Sequence, residues 1–183
     1  FLISYYLNLP IIISVPLAVM AGIIITGGLH EDGFSVTVQA FKTGKDRKQI
    51  LELLKNPNTS IYGTLFLIIL VILKISALVS LGMASHWYVF SAFIVSFTIG
   101  RSMLVFLRSI SSQISKNPKD SEESQNDLSV LWSSLGISFL ITIIFSPFWV
   151  AILGYTVCIV QSYLIMAYTN RKIGGVTGGI LGA

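Results

Sequence analysis

Three adjacent polar side chains, His30, Glu31 and Asp32, follow a long apolar run that ends at Thr26 and two glycines. Two carboxylates beside an imidazole could hold a hard divalent cation. Mg²⁺ is commonly bound by one or two carboxylates together with substrate phosphates. The alternative is a solvated polar cap at the end of a helix. The spacing of these residues leaves both interpretations open.

A second polar segment, 171–183, begins with two cations and is rich in glycine. Glycine would let the backbone approach a ligand closely. Thr177 offers a hydroxyl, and Arg171 and Lys172 offer positive charge for a phosphate. A flexible exit from a helix is the alternative interpretation. The glycines of this segment are Gly174, Gly175, Gly178, Gly179 and Gly182.

Two further cations, Lys74 and Arg101, lie inside apolar stretches. A charged side chain within a membrane span is costly and indicates a functional site by default. Arg101 could reach toward a phosphate, or toward Glu31 and Asp32. Both cations could instead extend to the membrane surface along their aliphatic stems. We favour that second interpretation for Lys74.

The composition indicates that lipid is the solvent of most of this chain. Of its 183 residues, 54% are hydrophobic and 11% are charged, whereas about 25% are charged in soluble domains. So few charges cannot cover a globular surface. We therefore predict an all-α, polytopic transmembrane helical bundle that forms a single integral membrane domain over 1–183. The chain has a net charge of +4, and most of its lysines and arginines lie between the apolar runs. They form no basic helix or stripe of the kind that indicates nucleic-acid binding.

Apolar runs of about 20 residues divide the chain into spans and loops. Polar loops at 27–60, 108–129 and 170–183 would then all face one side of the membrane, and the first would carry an interfacial amphipathic helix from Asp46 to Lys55. Because the loop lysines and arginines gather on that side, it is predicted to be cytoplasmic, in a multi-pass protein of the cell inner or plasma membrane. The ends of the chain indicate a fragment of a longer protein. The five predicted spans are about 1–26, 61–81, 87–107, 130–146 and 148–168, with a turn at Ser146-Pro147.

The segment TGGLHEDGF resembles the signature of the cobalamin-5′-phosphate synthases, also called adenosylcobinamide-GDP ribazoletransferases. In that family the pattern T-G-x-x-H-x-D-G is followed by a charged helix and a Tyr-Gly pair, by an arginine in a later span, and by a Gly-Gly-x-Thr-Gly loop. The order and approximate spacing agree over nearly the whole chain. The matching residues are Thr26, Gly27, His30, Asp32 and Gly33, then Tyr62-Gly63, Arg101, and Gly174, Gly175, Thr177 and Gly178.

The resemblance implies an Mg²⁺-dependent phosphotransferase. Its reaction would transfer the cobinamide-phosphate group of adenosylcobinamide-GDP to α-ribazole or its 5′-phosphate, with release of GMP. We assign His30, Glu31 and Asp32 as catalytic, with Glu31 and Asp32 also holding the metal. The remaining assigned residues would bind phosphate or shape the loop that does so: Arg101, Arg171, Lys172, Gly174, Gly175, Thr177 and Gly178.

The sequence departs from the family pattern at Val36, Gln39, Asn56 and Gly179, where the resemblance implies acids. A neutral residue removes charge that would hold Mg²⁺ against a diphosphate. One alternative is therefore a catalytically impaired relative that acts as a membrane scaffold. Another is a small transporter, although transporters more often place polar groups at the membrane midplane. A homo-oligomer, or association with other enzymes of cobalamin biosynthesis, stays open.

Overall fold

The computed structural model describes residues 1, 6–55, 61–114, 120–176 and 180, with backbone alone for the helical residues between 111 and 128. Over this part of the chain the fold is all-α, as predicted. Its seven helices are α1 (Ile11–Thr26), α2 (Leu29–Thr43), α3 (Arg47–Lys55), α4 (Ile61–Ala84), α5 (His86–Ile114), α6 (Asp120–Phe145) and α7 (Phe148–Ile173).

Three of the described helices are long and apolar enough to cross a membrane: α4, the His86–Ile110 part of α5, and α7. Helices α1 and α2 meet at a bend of 86° and would add a fourth span if the pair is counted as one. The apolar part of α6, Ser129–Phe145, is shorter than these three. The chain is therefore a multi-pass helical membrane protein, while its division into five spans stays a prediction.

The distribution of side chains between surface and interior is that of a protein in lipid. Large apolar side chains lie exposed along the spans; Leu73 in the middle of α4, for example, is 64% exposed. The interior contains many hydroxyl residues, and several donate to their own helix, as when Thr142 Oγ1 donates to the Ser138 carbonyl at 2.8 Å. Small residues let helices approach closely in a bilayer, where burial of apolar surface gives no advantage over lipid. The buried hydroxyl residues include Ser14, Ser91, Ser102, Ser109, Ser138, Thr142, Ser162 and Thr169.

The chain forms two compact units, residues 1–92 and 93–181. In the first unit, α1 and α4 pack together in opposite directions. Gly82, near the end of α4, lies against Ile11 at the start of α1, so closely that a Cβ atom at Gly82 would overlap the Ile11 side chain. Helix α2 packs across the first part of α4, and α3 packs on α2.

In the second unit, α6 and α7 form a hairpin that turns at Ser146 and Pro147, as predicted. Its core contains Ile99, Met103 and Tyr155, with Phe139 packed edge-on against the Tyr155 ring at a centroid distance of 5.6 Å. The Tyr155 hydroxyl forms a buried hydrogen bond of 2.6 Å with Ser138 Oγ. This bond joins the two helices of the hairpin.

Replacing Tyr155 with phenylalanine is expected to lower the free energy of unfolding by about 0.6 to 1.7 kcal/mol, the range for hydrogen bonds between membrane helices. The ring and its packing against Phe139 would remain, so the loss would report on the hydroxyl. Unfolding by SDS in mixed micelles, followed by circular dichroism, measures the change. Tyr163→Phe on the same helix is the control, because Tyr163 is 63% exposed; equal losses in both variants would contradict the prediction.

The first polar loop contains more helix than the sequence suggested. Helix α3 is confirmed, and Asp46 caps it by accepting a hydrogen bond of 2.8 Å from the Gln49 N–H. Helix α2, however, occupies most of the loop before it. Likewise α7 continues to Ile173, so Arg171 and Lys172 lie in its last turn and not in a loop. Both differences arise because a long apolar run identifies spans and says little about polar helices next to them.

Candidate active site

The sharp turn between α1 and α2 places the His30–Asp32 cluster. Gly27 and Gly28 both adopt left-handed backbone angles, with φ of 67° and 68°. The Gly28 N–H donates to the Ile23 carbonyl at 2.9 Å and the Gly27 N–H to the Ile24 carbonyl at 3.1 Å, which is the Schellman pattern of helix termination. Helix α2 begins at Leu29 directly after it. The cluster therefore lies in the first turn of α2, at the corner of the 86° bend.

Replacing Gly27 with alanine is expected to destabilise this corner. A Cβ atom there would have nothing within 4 Å, so the cost would come from the left-handed backbone alone and would be about 1–2 kcal/mol. Gly27→Asn should cost less, because asparagine adopts this conformation more readily. Unfolding in mixed micelles would compare the two variants, and an alanine variant as stable as the unaltered protein would disprove the argument.

The two carboxylates of the cluster lie in different environments. Asp32 is exposed, whereas Glu31 is half-buried, and its Oε2 atom is buried without a hydrogen-bond partner among the described residues. Asp32 is exposed because it lies at the very start of α2, whereas residues further along the helix are more buried. Both acids lie in the first turn of α2, where negative charge interacts favourably with the positive end of the helix dipole. His30, half-buried, precedes them in the same turn.

Helix α2 is held against the start of α4 by a close contact at Gly63. An added Cβ atom at Gly63 would lie 2.6 Å from the Ser35 carbonyl oxygen and as close to its hydroxyl. Only glycine allows this approach. The preceding residue, Tyr62, contributes its ring, over which the Lys42 ammonium lies at 5.9 Å from the centroid. These contacts fix α2, and with it the cluster, at the beginning of α4.

The remaining assigned residues lie in the second unit. Arg101 is exposed on α5 beside the buried Ser102, and Arg171 and Lys172 are exposed in the last turn of α7. Gly174 ends α7 in a left-handed conformation with φ of 80°. Cations in the last turn also stabilise a helix through its dipole, so their position serves the fold as well. Gly175 is half-buried, and Thr177 and Gly178 lie outside the described residues.

Within the described part of the chain, no group of three or more His, Cys, Asp or Glu side chains converges on one point. A cage made by protein ligands alone is therefore not found there. A cation held by one or two carboxylates, with its other ligands from substrate, remains compatible with this arrangement.

A family model described as cobalamin-5-phosphate synthase matches residues 1–183. The chain belongs to this family. Curated relatives named adenosylcobinamide-GDP ribazoletransferase include that of Shewanella denitrificans, 31% identical, and that of Shewanella oneidensis, 33% identical; each match covers 96% of this chain and 68% of the relative. No solved structure matches the chain significantly.

The cobalamin-5-phosphate synthase resemblance drawn from the sequence is thus confirmed, and the structure gives its motifs physical roles. The Tyr-Gly pair is where α4 meets α2, and the paired glycines make the corner before the cluster. The contact between Ser35 and Gly63 was not anticipated. The Tyr-Gly motif was the available signal, because a glycine at the start of a span often marks close helix packing.

Two of the positions where the resemblance implies acids lie on α2. Asp32, Val36 and Gln39 follow one another at intervals of four and three residues and so share one face of the helix. Val36 is half-buried and Gln39 is 7% exposed. This face therefore carries a carboxylate only at its exposed beginning. The other two positions, Asn56 and Gly179, lie outside the described residues.

Proposed function

We propose that this chain catalyses the nucleotide-loop assembly step of cobalamin biosynthesis. In this step the cobinamide-phosphate group of adenosylcobinamide-GDP passes to α-ribazole or its 5′-phosphate, which gives adenosylcobalamin or its 5′-phosphate and GMP. The family match over the full 183 residues carries the proposal. The named relatives support it with an alignment that includes 96% of the chain.

The transfer forms one phosphorus–oxygen bond and breaks another. A ribose hydroxyl oxygen of the ribazole, other than the 5′ oxygen that keeps its phosphate in the 5′-phosphate product, attacks the cobinamide-bound phosphorus. The bond from that phosphorus to the bridging oxygen breaks, and GMP leaves with the bond's electron pair. When a hydroxyl attacks, its proton must pass to a base. Such a reaction depends on holding the attacking oxygen in line and on stabilising the charge of the diphosphate.

Glu31 fits the role of a metal ligand. Its Oε2 atom is buried and has no hydrogen-bond partner among the described residues, and an ionised oxygen in such a position needs a compensating partner. Mg²⁺ held by Glu31, by Asp32 beside it and by substrate phosphates would supply that partner. When bound, Mg²⁺ neutralises charge on the diphosphate and on the leaving GMP.

The other residues would orient the substrates. His30, in the same helical turn, would donate a hydrogen bond or accept the proton of the attacking hydroxyl. Arg101, Arg171 and Lys172 would bind phosphate oxygens, and Gly174, Gly175, Thr177 and Gly178 would shape the loop. Asp32, which is exposed at the start of α2, would be open to soluble substrates.

We infer that the polar segments 27–60, 108–129 and 170–183 face the cytoplasm, in the cell inner membrane. The loop lysines and arginines lie in these polar segments, and lysines and arginines near membrane spans are retained on the cytoplasmic side. Labelling of single cysteines placed at Lys45 and Lys172, in a Cys158→Ser background, would test the shared side. Labelling from opposite compartments would end the proposal of one active site. The exposed apolar faces leave room for a homo-oligomer or for other enzymes of the pathway.

The decisive experiment is turnover by the purified chain in lipid nanodiscs. Adenosylcobinamide-GDP, α-ribazole and Mg²⁺ are expected to yield equal amounts of GMP and the cobalamin product, as measured by chromatography and mass spectrometry. A scaffold without activity would give neither product until aspartates are restored at Val36, Gln39, Asn56 and Gly179. A transporter would instead accumulate substrate in proteoliposomes without forming GMP.

A further inference from the structure

A cluster of cations lies on and around α3, which comes just before the start of α4 in the first unit. Residues 42–55 contain five lysines and arginines and two acids, a net charge of +3. All seven charged side chains are exposed. The five cations, which we call the α3 basic surface, are Lys42, Lys45, Arg47, Lys48 and Lys55.

The apolar side of α3 faces the protein, which leaves its charged side outward. Ile50 is 3% exposed and packs so tightly on Gly44 that a Cβ atom there would overlap it. Helix α3 is therefore folded back on the end of α2. Lys48, Glu52 and Lys55, at intervals of four and three residues, share the opposite face of the helix.

The two acids neutralise only part of this charge. The Asp46 carboxylate accepts a hydrogen bond from the Gln49 N–H at 2.8 Å, and the Gln49 side chain accepts one from the Lys45 N–H at 2.9 Å. Asp46 is thus occupied in capping α3. Glu52 lies one turn after Lys48, the spacing of a helical ion pair. Lys42 lies over the Tyr62 ring, and the exposed charges of Lys45, Arg47 and Lys55 can meet an anion outside the chain.

We propose that the α3 basic surface binds the headgroups of anionic phospholipids. The neighbouring helix α4 begins at Ile61 and immediately exposes large apolar side chains, including Leu65 and Phe66, so lipid surrounds its first turns. The layer next to that lipid is the headgroup layer, where phosphates are concentrated. Clusters of four to eight cations on an amphipathic helix beside a span fit this layer. The proposal concerns the membrane surface and does not rest on the proposed reaction.

A titration of the purified full chain in neutral detergent tests the proposal. The ligands are short-chain phosphatidylglycerol, phosphatidylcholine of the same chain length, and soluble glycerol phosphate. Bound lipid is counted by native mass spectrometry, and affinity is measured from the shift in the unfolding temperature. The variant is Arg47→Gln/Lys48→Gln, and its matched control is Arg47→Lys/Lys48→Arg, which changes the same two side chains and keeps their charge.

Phosphatidylglycerol is expected to bind the unaltered chain at least tenfold more tightly than phosphatidylcholine. The α3 variant should bind it about thirtyfold more weakly, since each cation near an anionic surface contributes about fivefold in affinity. The control variant should keep its affinity. Equal binding of the two lipids, equal losses in both variants, or glycerol phosphate binding as tightly as the lipid would overturn the proposal. If the α3 variant fails to fold, the comparison of the three ligands on the unaltered chain decides.

Discussion

Replacing Glu31 with glutamine is expected to reduce kcat for GMP release by about a hundredfold to a thousandfold, the usual loss when one group that stabilises transition-state charge is removed. Glutamine keeps the shape of the side chain and removes its charge. The negative charge of the buried Oε2 atom, which has no hydrogen-bond partner among the described residues, would then no longer be there to attract a cation. The rate should be measured over a range of Mg²⁺ concentrations, because loss of a metal ligand also raises the Mg²⁺ concentration that gives half of the maximal rate.

The stability of this variant should move in the other direction. A neutral amide costs less to bury than an unpaired carboxylate, so the free energy of unfolding should not fall. Glu52→Gln is the matched control, since Glu52 is an exposed acid on α3 in the same unit, and its kcat should be unchanged. If Glu31→Gln keeps both its rate and its Mg²⁺ dependence, or if Asp32→Ala keeps full activity, the metal assignment is wrong.

Replacing Gly63 with alanine is expected to impair both stability and activity. The new Cβ atom would lie 2.6 Å from the Ser35 carbonyl oxygen, so α2 and α4 would have to separate. Overpacking of this kind costs about 1–3 kcal/mol. Because α2 carries His30 and Glu31, a displacement of about 1 Å could reduce kcat by about a hundredfold. Unfolding in mixed micelles and the GMP-release assay measure the two effects.

Gly22→Ala on α1 provides the comparison for this variant. Nothing lies within 4 Å of a Cβ atom built at Gly22, and alanine favours a helix over glycine by up to about 1 kcal/mol. That variant should therefore be as stable as the unaltered chain or more stable, with full activity. A Gly63→Ala variant that behaves like Gly22→Ala would show that the contact with Ser35 is not needed.

The fold was predictable where local chemistry determines it. Low charge and long apolar runs predicted membrane helices, the Ser146-Pro147 pair predicted the α6–α7 turn, and Asp46 predicted the start of α3. Helix α2 was not predicted, because its mixed polarity resembles a loop when only apolar length is considered. The paired glycines at Gly27 and Gly28 are visible in the sequence, but the 86° angle between α1 and α2 depends on how α2 packs against α4.

The residues of the candidate site stay a prediction, and their environments could not be predicted from the sequence. The sequence located the His30–Asp32 cluster through its residue types and its resemblance to a family. It could not indicate that Glu31 has a buried oxygen while Asp32 is exposed, because this difference arises from how the start of α2 packs in the folded chain. The partner of Gly63 also depends on tertiary packing, since Ser35 lies far from it in the chain.

The connections at Ser85, between α4 and α5, and at Ser146-Pro147, between α6 and α7, contain no lysine, arginine or acid. During biogenesis α4 and α5 can therefore enter the bilayer as a hairpin whose tip carries no formal charge through the hydrocarbon, and α6 and α7 would do the same where the predicted span 130–146 crosses the bilayer. At the centre of a helix each such charge would oppose insertion by about 2.5–3.5 kcal/mol. A lysine pair introduced at either tip should accordingly slow or reverse the insertion of that hairpin, even though it would touch nothing in the finished protein.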